Sequence, residues 1–183
     1  MRFTKAIISI TLLVLLVSLA APAQKRKGRA AHSQKPAIVV APIDTEALKG
    51  LVTQQRQKPL LINFWATFCD PCRDEFPDLV KINKDYGSQS LEFFTVSLDD
   101  ASELKGEVPK FLDAMKATMP AYLLDVNDPE PAINLMDRKW QGDLPATFLY
   151  NDKGELVYKH IGRVNTAELR EAIDKVVKKG TGQ

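Results

Sequence analysis

Asn63-Phe64-Trp65-Ala66-Thr67-Phe68-Cys69-Asp70-Pro71-Cys72-Arg73-Asp74-Glu75-Phe76-Pro77-Asp78-Leu79 decides how the rest of this chain is read. Its first part closes a nearly continuous apolar run, Pro59 to Ala66, of the kind that suits a strand covered on both faces. Its last part reads as a helix from Asp70 to about Tyr86, with Phe76, Leu79, Val80 and Tyr86 on one face. Pro77 has no N–H to offer the carbonyl of Arg73, so a kink is expected there. The only two cysteines of the chain, Cys69 and Cys72, fall where the strand gives way to the helix.

Elements can be followed outward from this junction. On the N-terminal side, Asp44 is a candidate N-cap for a helix carrying Leu48, Leu51 and Val52. On the C-terminal side, Leu91 to Leu98 reads as a second buried strand. Val108, Phe111, Leu112 and Met115 mark an amphipathic helix, and Ala121 to Leu124 a short strand. Asp128-Pro129 is a cap followed by a proline at the first helical position, opening a helix through Met136. Ala146–Tyr150 and Glu155–Ile161 form a hairpin across the turn residues Asn151-Asp152-Lys153-Gly154. A last helix starts at the cap Asn165, has Glu168 three residues on, and ends at Gly180. Alternating strands and helices closed by a hairpin and a helix imply a single α/β domain: a mixed central sheet with helices on both faces.

Composition sets the outer bounds. At 183 residues and 45% hydrophobic, the chain can bury one real core but not two large ones. A net charge of +2 gives no global field that would draw nucleic acid. The N-terminus reads as an export signal: Arg2 and Lys5, an apolar run from Ile7 to Val17, then Ala21-Pro22-Ala23 before Gln24. Two features support the competing reading, an uncleaved membrane anchor. Ala6 to Gln24 is uncharged and just long enough to span, and Lys25, Arg26, Lys27 and Arg29 follow it directly, opposing translocation. Removing residues 1–23 takes two basic residues and leaves 23 basic against 23 acidic. Residues 24–36 are basic and polar, a disordered linker, and the folded domain is expected over 37–183.

Three chemistries compete for a Cys-x-x-Cys pair. A purely structural disulfide gains little from closing so short a loop. A zinc site needs about four ligands, and only His32 and His160 could join the two sulfurs as Cys or His ligands. A redox pair fits the position, because unpaired N–H groups and the macrodipole at a helix N-terminus stabilise a thiolate. Cys69, at the cap, would be the attacking thiol, and Cys72, one turn in, the resolving one.

The same stretch, Asn63 to Leu79, resembles the active-site segment of the TlpA/ResA-type thioredoxin-like family, with Pro77 soon after the cysteines and Pro145, in Leu144-Pro145-Ala146-Thr147-Phe148, before a late strand. The element order is similar over roughly Ala37 to Gly180. The resemblance implies a thioredoxin fold, an exported thiol–disulfide oxidoreductase, periplasmic or otherwise extracytoplasmic, and no cofactor beyond the Cys69–Cys72 disulfide. It implies protein thiol or disulfide partners and a membrane-bound electron donor; the charge balance points to no nucleic-acid partner, and membrane contact is expected only through the N-terminal segment. Reduction of apocytochrome c before haem attachment and general repair are both roles it suggests.

The resemblance also places site residues. Pro145 would be a cis-proline beside the cysteines, although a plain strand-entry proline reads the same in sequence. Leu144 would offer backbone groups to an extended client. Trp65 and Phe68 would flank the sulfurs and present an apolar docking surface, with Asp70 and Pro71 between the cysteines also meeting the client. Trp65 could equally be core, and the sequence does not place Trp140, which could lie near the same surface. Asn63 stands where thioredoxin itself has a buried aspartate, and Glu75 takes the place of the family's acidic residue after the second cysteine. A carboxylate near a thiol raises the thiol pKa and can relay its proton; an exposed Glu75 would merely pair along its helix. With Asp70 adding a second negative charge, a reducing couple is expected, nearer roughly −270 mV than roughly −120 mV. Two alternatives remain: a thiol peroxidase of the same fold, and a copper-binding module using both sulfurs and His160.

Overall fold

The computed structural model describes residues 38–180, so the expected signal and basic linker lie outside the described residues. The first element, which the sequence reading did not anticipate, is strand β1 (Val40–Ile43). Helix α1 (Thr45–Thr53) follows, with Asp44 accepting from the Ala47 N–H at 2.7 Å as expected of its cap. Strand β2 (Leu60–Trp65) leads into helix α2 (Asp70–Ser90), strand β3 (Glu92–Ser97) and a 3₁₀ turn over Ala101–Lys105. Then come α3 (Glu107–Ala114), β4 (Ala121–Leu124), α4 (Glu130–Met136), β5 (Ala146–Tyr150), β6 (Leu156–Ile161) and α5 (Thr166–Gly180). Asp128 accepts from the Glu130 N–H, so the expected Asp-Pro start of α4 is realised one residue later.

One six-stranded sheet runs in the order β1-β4-β3-β2-β5-β6. The first four strands in that order are mutually parallel, β5 is antiparallel to β2, and β6 is antiparallel to β5. All six residues of β2 are buried, because it lies in the middle of the sheet with helices on both sides. Its alternation sorts the layers. Leu61 and Trp65 join a cluster with α2, α3 and α5, while Leu60, Ile62 and Phe64 join the opposite one with α1 and α4. Asn63 shares the first of these faces and therefore points at α2. Among the described residues no helix is long and apolar enough to cross a membrane.

The kink expected at Pro77 is not where α2 breaks. Within its span the non-helical dihedrals are at Gly87, with φ 59° and ψ 170°. Side chains with a Cβ avoid that region, and glycine adopts it freely. Gly87→Ala is therefore expected to lower stability by about 1–3 kcal/mol. Among the described residues no atom beyond its own helix backbone lies within 4 Å of the added methyl, so a shift in urea midpoint would report backbone strain. An unchanged midpoint would show that the chain can reach β3 by another route.

Candidate functional site

The site sits at the C-terminal end of β2. Past Trp65 the chain must turn from strand to helix within a few residues, and Asp99, beyond β3, fixes that turn. Its carboxylate accepts from the Thr67 N–H, at 3.2 and 3.0 Å to its two oxygens, and from the Thr67 hydroxyl at 2.5 Å. It also accepts from the Ser97 hydroxyl. Arg73 ties the loop from the helix side, donating to the Thr67 carbonyl at 3.1 Å while its guanidinium lies 5.0 Å over the Phe111 ring. Thr67, Asp99 and Arg73 were not among the residues expected from sequence. The signal for Asp99 was a strand ending in consecutive acids, Asp99-Asp100, which reads equally well as turn chemistry.

On this loop Cys69 occupies the N-cap of α2 and is joined to Cys72 by a disulfide, with Cα atoms 5.3 Å apart. The Cys69 sulfur accepts from the Cys72 N–H at 3.2 Å, the cap bond of the helix. The two sulfur residues differ in access: Cys69 is 9% exposed and Cys72 is 0%. Asp70 and Pro71 between them are exposed, and Phe68 just before is 75% exposed.

Beneath the disulfide lies an aromatic floor. Trp65 stacks on Phe111 at 4.4 Å and meets Phe76 edge-on at 5.1 Å, and Phe76 meets Phe111 at 5.2 Å. Such pairs add about 0.5–1.5 kcal/mol each beyond their burial. Trp65 is wholly buried in this floor, which corrects its expected place on a docking surface. A strand flanked by helices on both faces leaves its last side chain no route to solvent. Trp140 is also buried, on the far side of the sheet against Phe64 and Phe148, with its indole N–H donating to the Asp143 carbonyl.

The Leu144–Pro145 peptide bond is cis, as the sequence resemblance implied. Ala146 pairs with Phe64 across the sheet, so Pro145 comes level with the end of β2 from which the cysteine loop departs. The Pro145 carbonyl accepts from the Gly162 N–H at 2.7 Å. Leu144 is half-buried and lines a groove together with Phe68.

Glu75 lies one turn beyond Cys72 on the buried face of α2 and is 1% exposed. One carboxylate oxygen accepts from Asn63 Nδ2 at 2.9 Å, the other from the Val164 N–H at 2.9 Å. Asn63 Nδ2 also donates to the Thr147 hydroxyl at 3.1 Å, and Asn63 Oδ1 is buried with no partner among the described residues. Burial pushes the Glu75 carboxyl up to about 7, against the opposing effect of those two hydrogen bonds. Glu75 is thus not an exposed helix residue; it is a buried acid whose proton is exchangeable near neutral pH. His160, the candidate copper ligand, sits on β6 with Nε2 3.0 Å from the Arg163 carbonyl. Among the described residues no group of three His, Cys, Asp or Glu side chains could hold a metal ion.

Comparison with known proteins agrees with this geometry. The profile of the AhpC/TSA family matches residues 37–159. The thioredoxin-like protein YneN of Bacillus subtilis is 29% identical over 69% of this chain and 69% of its own length. The thiol-disulfide oxidoreductase ResA of Halalkalibacterium halodurans is 28% identical over 72% of this chain and 71% of its own. A crystal structure of a thioredoxin-family thiol:disulfide interchange protein from Chlorobium tepidum superposes with a TM-score of 0.55, covering 67% of this chain and 82% of that one at 22% identity. The fold is therefore that of thioredoxin, and the chain belongs to the AhpC/TSA family as a thiol–disulfide oxidoreductase of the TlpA/ResA type.

Proposed function

We propose that this oxidoreductase works outside the cytoplasm as a reductant of protein disulfides, with Cys69 as the attacking thiol, Cys72 as the resolving thiol and Glu75 as the carboxyl that tunes and relays their protons. The observation that carries the reading is the asymmetry of the pair: one sulfur residue at the helix cap and partly open, the other sealed one turn from a buried acid. In the reduced enzyme the Cys69 thiolate attacks a client disulfide, forming a mixed disulfide and expelling one client thiolate. Cys72 then attacks Cys69, re-forming the internal disulfide and releasing the second client thiol. Two electrons pass from the dithiol to the client, and no further cofactor is required. A membrane-bound dithiol donor would restore the reduced form.

A reducing couple follows from charge. Stabilising the Cys69 thiolate would stabilise the reduced protein and make it an oxidant. The helix terminus acts in that direction, while Asp70 beside Cys69 and ionised Glu75 behind Cys72 act against it. Export rests on Arg2, Lys5, the run Ile7–Val17 and Ala21-Pro22-Ala23. A mature N-terminus at Gln24, read by mass spectrometry, is the expected result, and an intact Met1 on exported protein would replace cleavage with anchoring.

The reduction potential tests the main reading. Trp65, buried in the same cluster as both cysteines, supplies the fluorescence signal in defined thiol–disulfide buffers. A midpoint near or below roughly −270 mV is expected. A midpoint near roughly −120 mV would make the protein an oxidant and overturn the charge argument. Consumption of hydrogen peroxide without any disulfide substrate would instead favour the peroxidase alternative.

A further inference from the structure

Phe68 projects from the cysteine loop and forms the wall between two depressions. On one side is a groove of about 590 Å³ whose apolar lining includes Leu98, Leu124, Ile133 and Leu144. The same groove is lined by Asp99 and Asp100, and among the described residues no lysine or arginine lines it. On the other side Arg73 and Lys110, with Glu107, line a shallower hollow of about 310 Å³. The two depressions share Phe68, the residue next to Cys69, and they differ in charge.

We propose that the acidic, apolar groove is a specificity subsite: it takes a leucine-sized apolar side chain flanking the attacked cysteine of a client, with a lysine or arginine next to it. The proposal rests on the reading of Cys69 as the sulfur that forms the mixed disulfide. A client held at Cys69 and running past cis-Pro145 meets Leu144, which lines both the chain's path and the groove. Its neighbouring side chain then lies between Phe68 and α4, where apolar surface leaves water. Asp99 is anchored by Thr67 and Ser97, and Asp100 is exposed and caps the 3₁₀ turn by accepting from the Ser102 N–H at 2.8 Å. With two carboxylates and no cation on its walls, the groove favours a cationic client residue and opposes an acidic one.

The test uses symmetric peptide disulfides, so that attack at either sulfur gives the same product. One peptide has leucine on both sides of its cysteine and lysine outside them. In a second, alanine replaces leucine, and in a third, glutamate replaces lysine. The full chain carrying Cys72→Ser, reduced, is mixed with each, and mixed-disulfide formation is followed by mass spectrometry. In that step the peptide S–S bond breaks, the Cys69–peptide S–S bond forms, and one peptide leaves as thiolate. The leucine–lysine peptide is expected to react roughly tenfold faster than the alanine one, the scale set by a few methylenes in an apolar pocket. It should also outpace the glutamate peptide several-fold, by a margin that shrinks with added salt. Asp100→Asn keeps the oxygen that caps Ser102 and should narrow the lysine-over-glutamate ratio, and Ile133→Ala the leucine-over-alanine ratio. Equal rates for all three peptides, with glutathione disulfide also reacting, would overturn the subsite and leave the reductase reading intact. No reaction with any disulfide, glutathione disulfide included, would overturn both.

Discussion

Replacing Cys72 by serine is expected to give a protein that attacks a client disulfide once and then stops, with the client still attached through Cys69. The attack needs only the sulfur at the cap of α2, which keeps its partial exposure and its helix-terminal field. Release needs a second thiol already in place. In the native pair that thiol is three residues away on the same helix turn, so resolution is intramolecular, and effective molarities for well-placed groups reach roughly 10⁵ M and above. Losing it leaves resolution to millimolar external thiols. Turnover should therefore fall by at least roughly a thousandfold while mixed disulfide accumulates on non-reducing gels. Cys69→Ser should lose turnover just as fully and accumulate nothing, since Cys72 is wholly buried. Accumulation on Cys72 rather than Cys69 would reverse the roles of the two sulfurs.

Much of the positioning of this site was legible in the sequence because it depends on strong, local signals. The run Pro59–Ala66 suits a strand covered on both faces, which is what β2 is, and a strand ending at a Cys-x-x-Cys puts the first sulfur at a helix cap. Asp44, Asn165 and the Asn151–Gly154 turn act through their own backbone neighbours, and each forms the bonds its residue type suggests. Elements fixed by distant partners were harder to read. Strand β1 is four residues long and exists because it pairs in parallel with β4, some eighty residues later, a fact no local window contains. The helix break fell to Gly87 rather than Pro77, since the dihedrals of Pro77 remain helical and those of Gly87 have no alternative occupant.

The same distinction separates the parts of the site. Phe68 and cis-Pro145 lie where the motif and the strand order put them. Trp65 was misplaced because an aromatic at a strand end reads alike whether it faces a client or closes a core; the stacking of Phe111 from α3 decides it. Asp99 could not be read as the anchor of the cysteine loop, because its partner Thr67 is 32 residues away. Glu75 likewise is held by segments distant in sequence, Asn63 of β2 and Val164 after β6, and Asn63 is in turn held by Thr147 of β5.

That burial makes Glu75→Gln the most informative single change after the cysteines. The carboxyl titrates at about 7 in the folded protein, against 4.5 as its ordinary value. Because the folded value is the higher one, the contribution to stability is fully present below about pH 4.5 and is lost as pH rises through about 7. The native protein should thus lose on the order of 3 kcal/mol between pH 4.5 and 8 from this group alone. Glutamine has the same shape and no charge to bury. Its oxygen can accept from the Val164 N–H, and its amide can meet Asn63, which has an unpartnered Oδ1 to turn toward it. Glu75→Gln should therefore match the native protein near pH 5 and exceed it in urea midpoint near pH 8. In the reduced protein the same change removes a negative charge one turn from Cys72, so the thiols should titrate at lower pH and the potential should rise. The two readouts separate structure from chemistry. A flattened stability profile with an unchanged thiol titration would leave Glu75 as a buried acid of the core, with no part in the reaction. A shift in both would show that its charge is felt by the thiols and tunes the couple.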